Sequence, residues 1–121
     1  MEITRMESTV ERYQDSRLDM DFHHQSVVLD GQPVHLTKME FALLGQLARK
    51  GGSIVTREEL MRNVWGYGPE THSRTMDVHL RRLRVKLGSY SRQHVETVFG
   101  LGYRLTAASE VQPMMQAAAG D

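Results

Sequence analysis

The side chains best suited to bind another molecule are concentrated between residues 74 and 86. Five of these positions carry arginine or lysine, and Asp77 is the only acid among them. An arginine side chain can donate two hydrogen bonds to guanine O6 and N7, and it also pairs with phosphate oxygens. Threonine and valine methyl groups can contact the methyl group of thymine. The chemistry that this segment offers is therefore that of binding to a nucleic acid.

As a helix, with about 100° per residue, the segment separates into two faces. The apolar stripe consists of Met76, Leu80, Leu83 and Leu87. The polar arc consists of Thr75, Val78, His79, Arg82 and Lys86, flanked by Arg74 and Arg81 on one side and by Asp77 and Arg84 on the other. The pattern predicts a helix that buries its stripe, directs the arc to base edges and reaches phosphates with the flanking arginines and Lys86. A merely solvated basic face is an equally good interpretation of this helix alone.

The distribution of charge favours nucleic-acid binding although the chain is neutral overall. Residues 1–36 carry three arginines against seven acidic residues, whereas residues 71–104 carry seven basic against two acidic residues. A local basic patch attracts phosphate whatever the net charge of the whole protein. The distribution predicts an oriented molecule with its basic end towards the ligand.

The first third of the chain predicts a small antiparallel sheet. Residues 18–22 alternate apolar and polar side chains, as a half-buried strand does. Residues 26–29 form the next strand, Asp30-Gly31 is a hairpin turn, and residues 33–36 return. Residues 8–13 are expected to add an edge strand.

Two helices then begin with the same capping pattern. Thr37 precedes Glu40 by three residues, and Thr56 precedes Glu59 by three. This spacing forms a capping box, in which each side chain satisfies a free backbone N–H of the other residue. The predicted helices cover about 37–50 and 56–65, joined by an extended link at 53–55.

The basic helix is predicted at about 74–87, between Ser73 as N-cap and Gly88, and a hairpin follows it. Its strands are residues 94–99 and 103–106, with a glycine-containing loop between them. Three helices followed by a hairpin predict an α+β winged helix-turn-helix, with the helix 73–88 in the major groove and the wing 94–106 at the backbone or minor groove. The expected organisation is a disordered N-terminus at 1–7, the domain at 8–106 and a flexible tail at 107–121.

Other functions find little support in the sequence. The chain contains no cysteine, its six histidines lack metal-ligand spacing, and neither a phosphate-binding glycine loop nor a nucleophile motif is present. Neither an enzyme, a cofactor nor a metal site is expected. No apolar run is long enough to cross a membrane, and a cytoplasmic location is expected.

Several motifs together resemble the OmpR/PhoB-type effector domain of bacterial two-component response regulators. They are LTKMEFALL at 36–44, VTREEL at 55–60, VWG at 64–66, RTMDVHLRRLRVKL at 74–87 and TVFGLGYRL at 97–105. The resemblance covers about residues 10–106. It implies a four-stranded N-terminal sheet, three helices and a C-terminal hairpin wing.

The resemblance also implies roles for matched positions. Base contacts would come from Thr75, Val78, His79 and Arg82. Phosphate contacts would come from Arg57, Trp65, Arg74, Arg81, Arg84, Thr97 and Tyr103. A loop that contacts RNA polymerase would comprise Gly66, Tyr67, Gly68, Pro69, Glu70, Thr71, His72 and Ser73. The family binds direct repeats of double-stranded DNA as weak head-to-tail pairs.

Two departures from the family pattern leave alternatives open. Phe99 occupies the wing position where many relatives carry a basic residue aimed at the minor groove, so it either packs on the wing or wedges against sugars. The chain also has no room for a receiver domain of about 120 residues. Residue Arg84 lies almost opposite the polar arc, so a phosphate contact there requires its side chain to curl round the helix. The alternatives are a winged-helix protein interaction module and a stand-alone regulator that phosphorylation does not control.

Overall fold

A four-stranded antiparallel sheet opens the computed structural model, which describes residues 12–66 and 73–109. Its strands are β1 (Arg12–Gln14), β2 (Leu18–Asp21), β3 (Ser26–Leu29) and β4 (Gln32–Pro33), paired in that order. Leu18 and Met20 are fully buried and Val27 nearly so, which places one face of the sheet on the core. The predicted sheet is confirmed, and residues 8–11 of the expected edge strand lie outside the described residues.

The turn between β3 and β4 has the predicted geometry. Asp30 and Gly31 both have positive φ, at 52° and 82°, as a type I′ hairpin turn requires. The returning strand, Gln32–Pro33, is shorter than the expected 33–36 and begins one residue earlier. The Val34 N–H still bonds the Val27 carbonyl at 2.9 Å.

Both predicted capping boxes form. Helix α1 (Lys38–Arg49) has Thr37 as its N-cap, and helix α2 (Arg57–Leu60) has Thr56. In each box the backbone N–H groups and side-chain oxygens bond reciprocally, over 2.9–3.2 Å. The second helix is less regular than predicted, because a π-helical turn (Met61–Trp65) follows α2 and ends at the left-handed Gly66, φ 82°.

A second sheet joins the predicted link to the wing. Strand β5 (Val55–Thr56) pairs with β7 (Gly102–Leu105), which in turn pairs with β6 (Val95–Val98). The predicted link at 53–55 is extended at Val55, as expected, but the sequence did not predict that Val55 pairs with the wing. A Cβ at Gly102 would collide with the Val55 carbonyl oxygen, so only glycine allows β5 and β7 to approach this closely.

Helix α3 (Ser73–Leu87) lies across the core as predicted. Its stripe is buried, with Met76 and Leu83 at 0% exposure, Leu87 at 2% and Leu80 at 5%. A short helix α4 (Ser89–His94) precedes β6 and buries Tyr90 completely. The sequence assigned no element to residues 89–93 and began the following strand at His94, one residue too early. The order of helices followed by a hairpin is that of a winged helix-turn-helix. Across the described parts of the chain, no helix is long and apolar enough to cross a membrane.

A single carboxylate links the two ends of the described chain. Asp15 accepts hydrogen bonds from the Tyr13 and Tyr90 hydroxyls at 2.8 and 2.6 Å and from the backbone N–H groups of Leu18 and Ala108 at 2.7 and 3.1 Å. Ala108 is only 7% exposed, so the packed chain extends beyond the boundary at residue 106 that was expected from the sequence. Burial raises the pKa of Asp15, but the hydrogen bonds, led by that of Tyr90, outweigh it and lower the pKa.

We expect Asp15→Asn to lower the free energy of unfolding by about 2 kcal/mol near neutral pH, because charge-assisted hydrogen bonds are lost. A lowered folded-state pKa means that the stabilisation is present above about pH 4 and is lost as the pH falls through the folded value. Urea unfolding of both proteins from pH 7 to pH 3 measures this, and the two stabilities should converge towards the acid end. Asp30→Asn is the matched control and should cost less, since the half-exposed Asp30 side chain bonds only to Arg17. A constant difference between Asp15→Asn and the parent at every pH would contradict the assignment.

Candidate nucleic-acid interface

The outward face of α3 carries most of the residues that the sequence singled out. Thr75, Val78 and Arg82 are exposed, as are the flanking Arg74 and Arg81. No hydrogen bond or ion pair to another described residue engages Arg74, Arg81 or Arg82. The buried stripe fixes the helix, so these three guanidinium groups are held on one surface and are free to meet a ligand.

His79 lies at the edge of this surface. It is half-buried, and its ring centre lies 5.7 Å from that of the half-buried Trp65. The His79 Nδ1 atom is buried without a partner among the described residues. Trp65 packs against the core. The pair forms one wall beside the exposed part of α3.

A second cluster joins α3 to the wing through Arg57. Its Nη1 group donates to Asp77 Oδ1 at 3.0 Å and to the Tyr103 hydroxyl at 2.7 Å. Burial lowers the pKa of Arg57, but its interactions with Asp77 and Tyr103 outweigh it and raise the pKa. The only acid of the basic helix thus holds Arg57 against the wing.

Arg84 reaches the wing rather than the exposed face. Its Nη2 group donates to Thr97 Oγ1 at 2.8 Å, and its guanidinium lies 5.9 Å from the centre of the Tyr103 ring. The helical wheel placed Arg84 away from the polar arc, and the structure agrees. It nevertheless brings together Arg57, Arg84, Thr97 and Tyr103, four residues that the resemblance assigned to phosphate contacts.

Lys86 is paired with a buried carboxylate, although its own side chain stays partly exposed. Its ammonium lies 2.7 Å from Glu40 Oε1, and the Glu40 side chain is 1% exposed. Burial raises the pKa of Glu40, but the hydrogen bonds from Lys86 and Thr37 outweigh it and lower the pKa. The carboxylate of Glu40 therefore caps α1 and also binds the C-terminal end of α3. A phosphate contact by Lys86 would have to compete with this ion pair.

Val85 was missed by the sequence interpretation. It is 73% exposed and follows Arg74, Val78 and Arg81 at helical spacings of four, three and four residues. This ridge lies directly opposite the buried stripe, so the spacing alone could have found it. The polar arc was instead centred to one side of the ridge, which explains why its member His79 is half-buried.

The wing tip is apolar and exposed. Phe99 is 91% exposed and Leu101 is 58% exposed. The interpretation that Phe99 packs on the wing is therefore wrong, since the side chain projects from the turn with almost all of its surface accessible. The expected polymerase loop lies mostly outside the described residues, which lack 67–72 and the side chain of Ser73.

The chain matches the family model "Transcriptional regulatory protein, C terminal" over residues 31–105. It is 39% identical over 90 residues to the transcriptional regulatory protein CseB of Streptomyces avermitilis, covering 74% of this chain and 37% of that protein. It is 34% identical over 103 residues to PmrA of Pectobacterium parmentieri, covering 85% and 45%. The chain thus spans less than half the length of these relatives.

Solved structures agree with the fold. The Klebsiella pneumoniae RstA DNA-binding domain, in complex with the RstA box, superposes with a TM-score of 0.72 and 30% identity over 79% of this chain and 97% of that one. The DNA-binding domain of Escherichia coli CpxR gives 0.71 and 31% over 81% and 98%. In both cases the match covers almost the whole of the solved chain.

Proposed function

Because the chain belongs to the OmpR/PhoB-type family of transcriptional regulatory protein C-terminal domains, we propose that it binds double-stranded DNA sequence-specifically and regulates transcription. The observation that carries the proposal is the outward surface of α3, where Arg74, Arg81 and Arg82 have no described partner. A helix fixed on one face and lined with free guanidinium groups on the other is suited to the major groove. The activity proposed is binding, with no catalytic step.

Within this function the residues divide into two groups. Thr75, Val78 and Arg82 contact base edges from the exposed part of α3, and His79 contacts them from its edge. Arg74 and Arg81 reach phosphates on one side of the groove. Nearer the wing, phosphate contacts come from Arg57, Arg84, Thr97 and Tyr103, and Trp65 adds one beside His79. Contacts to phosphate fix the register of the helix, whereas contacts to bases select the sequence.

The larger assembly is also part of the proposal. Relatives named as transcriptional regulatory proteins are more than twice as long as the matched part, so we propose that the domain acts as the effector of a response regulator in the cytoplasm. We propose that two copies bind direct repeats head to tail, and that the loop 66–73 contacts RNA polymerase. Selection of bound duplexes from a random pool would give both the half-site and the repeat spacing.

The salt dependence of DNA binding tests the central proposal. Each phosphate contact contributes a slope of about −0.9 to the plot of log affinity against log salt concentration. With about four arginines at phosphates, the affinity should fall roughly 150-fold between 50 and 200 mM salt. Fluorescence anisotropy with a selected duplex measures this. A flat response, or no duplex binding at low salt, would contradict DNA binding and favour a protein-interaction module.

A further inference from the structure

We propose that the wing tip is an apolar wedge, in which Phe99 and Leu101 enter the minor groove beside the α3 site and partly unstack a base step. The inference rests on the proposed DNA binding and adds a mode of recognition to it. Proteins that kink DNA from the minor groove commonly insert phenylalanine or leucine between base steps. The wing would then select sequences by how easily they deform, rather than by attraction to a narrow groove.

The composition and exposure of the tip support this role. Residues 98–102 read VFGLG and contain no charged or polar side chain. Phe99 and Leu101 leave 91% and 58% of their surfaces accessible. Burying exposed apolar surface is favourable, so these two large side chains retain a driving force for insertion between bases. The same tip offers no side chain that could bind phosphate.

The tip is held firmly enough to act as a wedge. Val98 pairs with Gly102 at the end of the β6–β7 ladder, and the Leu101 N–H closes the turn on the Val98 carbonyl at 2.9 Å. Strand β7 is itself bonded to β5 on its other side. Because the hairpin belongs to a three-stranded sheet, insertion would not first have to order the turn.

Polar residues directly beneath the tip identify DNA as the occupant. A cleft of about 610 Å³ is lined by Phe99 and Leu101 together with Arg57, Glu58, Thr97 and Tyr103. Arg57, Thr97 and Tyr103 are among the proposed phosphate contacts. A DNA strand whose backbone meets these three residues would bring its bases towards the tip, so the wedge is continuous with the interface of α3. A wholly apolar protein partner would leave the charged side chains of this cleft unmatched.

The test uses the full chain and a duplex obtained by selection. In a series of such duplexes, 2-aminopurine replaces one base at a time at the base steps on the wing side. Fluorescence of this base rises when it unstacks. Saturating wild-type protein should raise the signal at one step, and Phe99→Ala should remove most of that rise and weaken binding about tenfold, the typical loss of one stacked aromatic. Leu101→Ala should have a smaller effect. Phe99→Leu is the conservative control and should retain the signal.

A different pattern would overturn the wedge. One such outcome is wild-type protein that binds the duplex, as measured by anisotropy, but changes the fluorescence at no base step. The second is a Phe99→Ala variant with the same fluorescence signal and the same affinity as the wild type. That second outcome would point to a protein partner for the tip. Failure of the proposed DNA binding itself gives a different result, because the protein would then raise the anisotropy of no labelled duplex at low salt. Phe99→Arg should bind narrow A·T-rich grooves more tightly, with no rise in fluorescence.

Discussion

Replacing Lys86 with methionine should lower the free energy of unfolding by about 2–4 kcal/mol and leave the salt dependence of DNA binding unchanged. Methionine keeps the unbranched stem of the side chain but removes the ammonium that lies 2.7 Å from the buried Glu40 carboxylate. Breaking a buried ion pair typically costs about 3–5 kcal/mol, and the value is smaller here because the Lys86 side chain is partly solvated. For a domain of this size the melting temperature should fall by roughly 10–20 °C.

The pH dependence of stability and a second substitution distinguish the loss of the ion pair from a loss of packing. Without Lys86, the largest of the interactions that lower the pKa of Glu40 is lost, so the difference in stability from the parent should shrink as the pH falls and the carboxyl becomes neutral. Adding Glu40→Gln to Lys86→Met should recover part of the stability, since no uncompensated charge remains. Urea unfolding measures both effects. Normal stability, with a salt slope smaller by about 0.9, would instead make Lys86 a phosphate contact, as the sequence predicted.

Local rules account for most of what the sequence predicted correctly. The two capping boxes depend on residues three apart, and the Asp30-Gly31 turn depends on two adjacent residues. The stripe of α3 depends on a period of 3.6 residues. Each pattern is complete within one turn or one helix, so no knowledge of the rest of the fold was needed to interpret it.

The features that sequence interpretation missed depend on contacts between distant residues. Lys86 looked like a member of a polar surface because its partner, Glu40, is 46 residues away and belongs to another helix. Strand β5 exists only because Gly102 lets β7 approach Val55. The exposure of Phe99 follows from the direction of a turn, which a list of residue types does not give.

The position of the exposed ridge separates the roles of the arginines on α3. Arg74, Val78, Arg81 and Val85 lie opposite the buried stripe, and Arg82 lies to one side of the ridge, next to Thr75 in projection. A helix lying in a groove directs one side to the bases, while residues near its rim meet the backbone. Thr75 and Arg82 share the side away from the Asp77–Arg57 pair, which supports a common role at base edges.

Arg82→Ala should therefore weaken binding to the preferred sequence about 10- to 100-fold and relax the preference at one base pair, because a bidentate contact to guanine is worth about 1–3 kcal/mol of discrimination. Arg74→Ala should weaken binding to all sequences alike and reduce the salt slope by about 0.9. Competition by duplexes carrying each single base change measures the first effect, and titrations at several salt concentrations measure the second.

Arg12→Ala is the matched control for both variants, since it removes the same charge from β1, where Arg12 pairs with Asp19 at 3.0 Å. It should change neither the base preference nor the slope by a comparable amount. Arg82 is exposed and has no described partner, so its removal should leave the stability of the domain nearly unchanged, and any lost preference must arise at the DNA. A sharply defined preference in Arg82→Ala would exclude this arginine as a base contact and leave the selection of sequence to Thr75, Val78 and the wing.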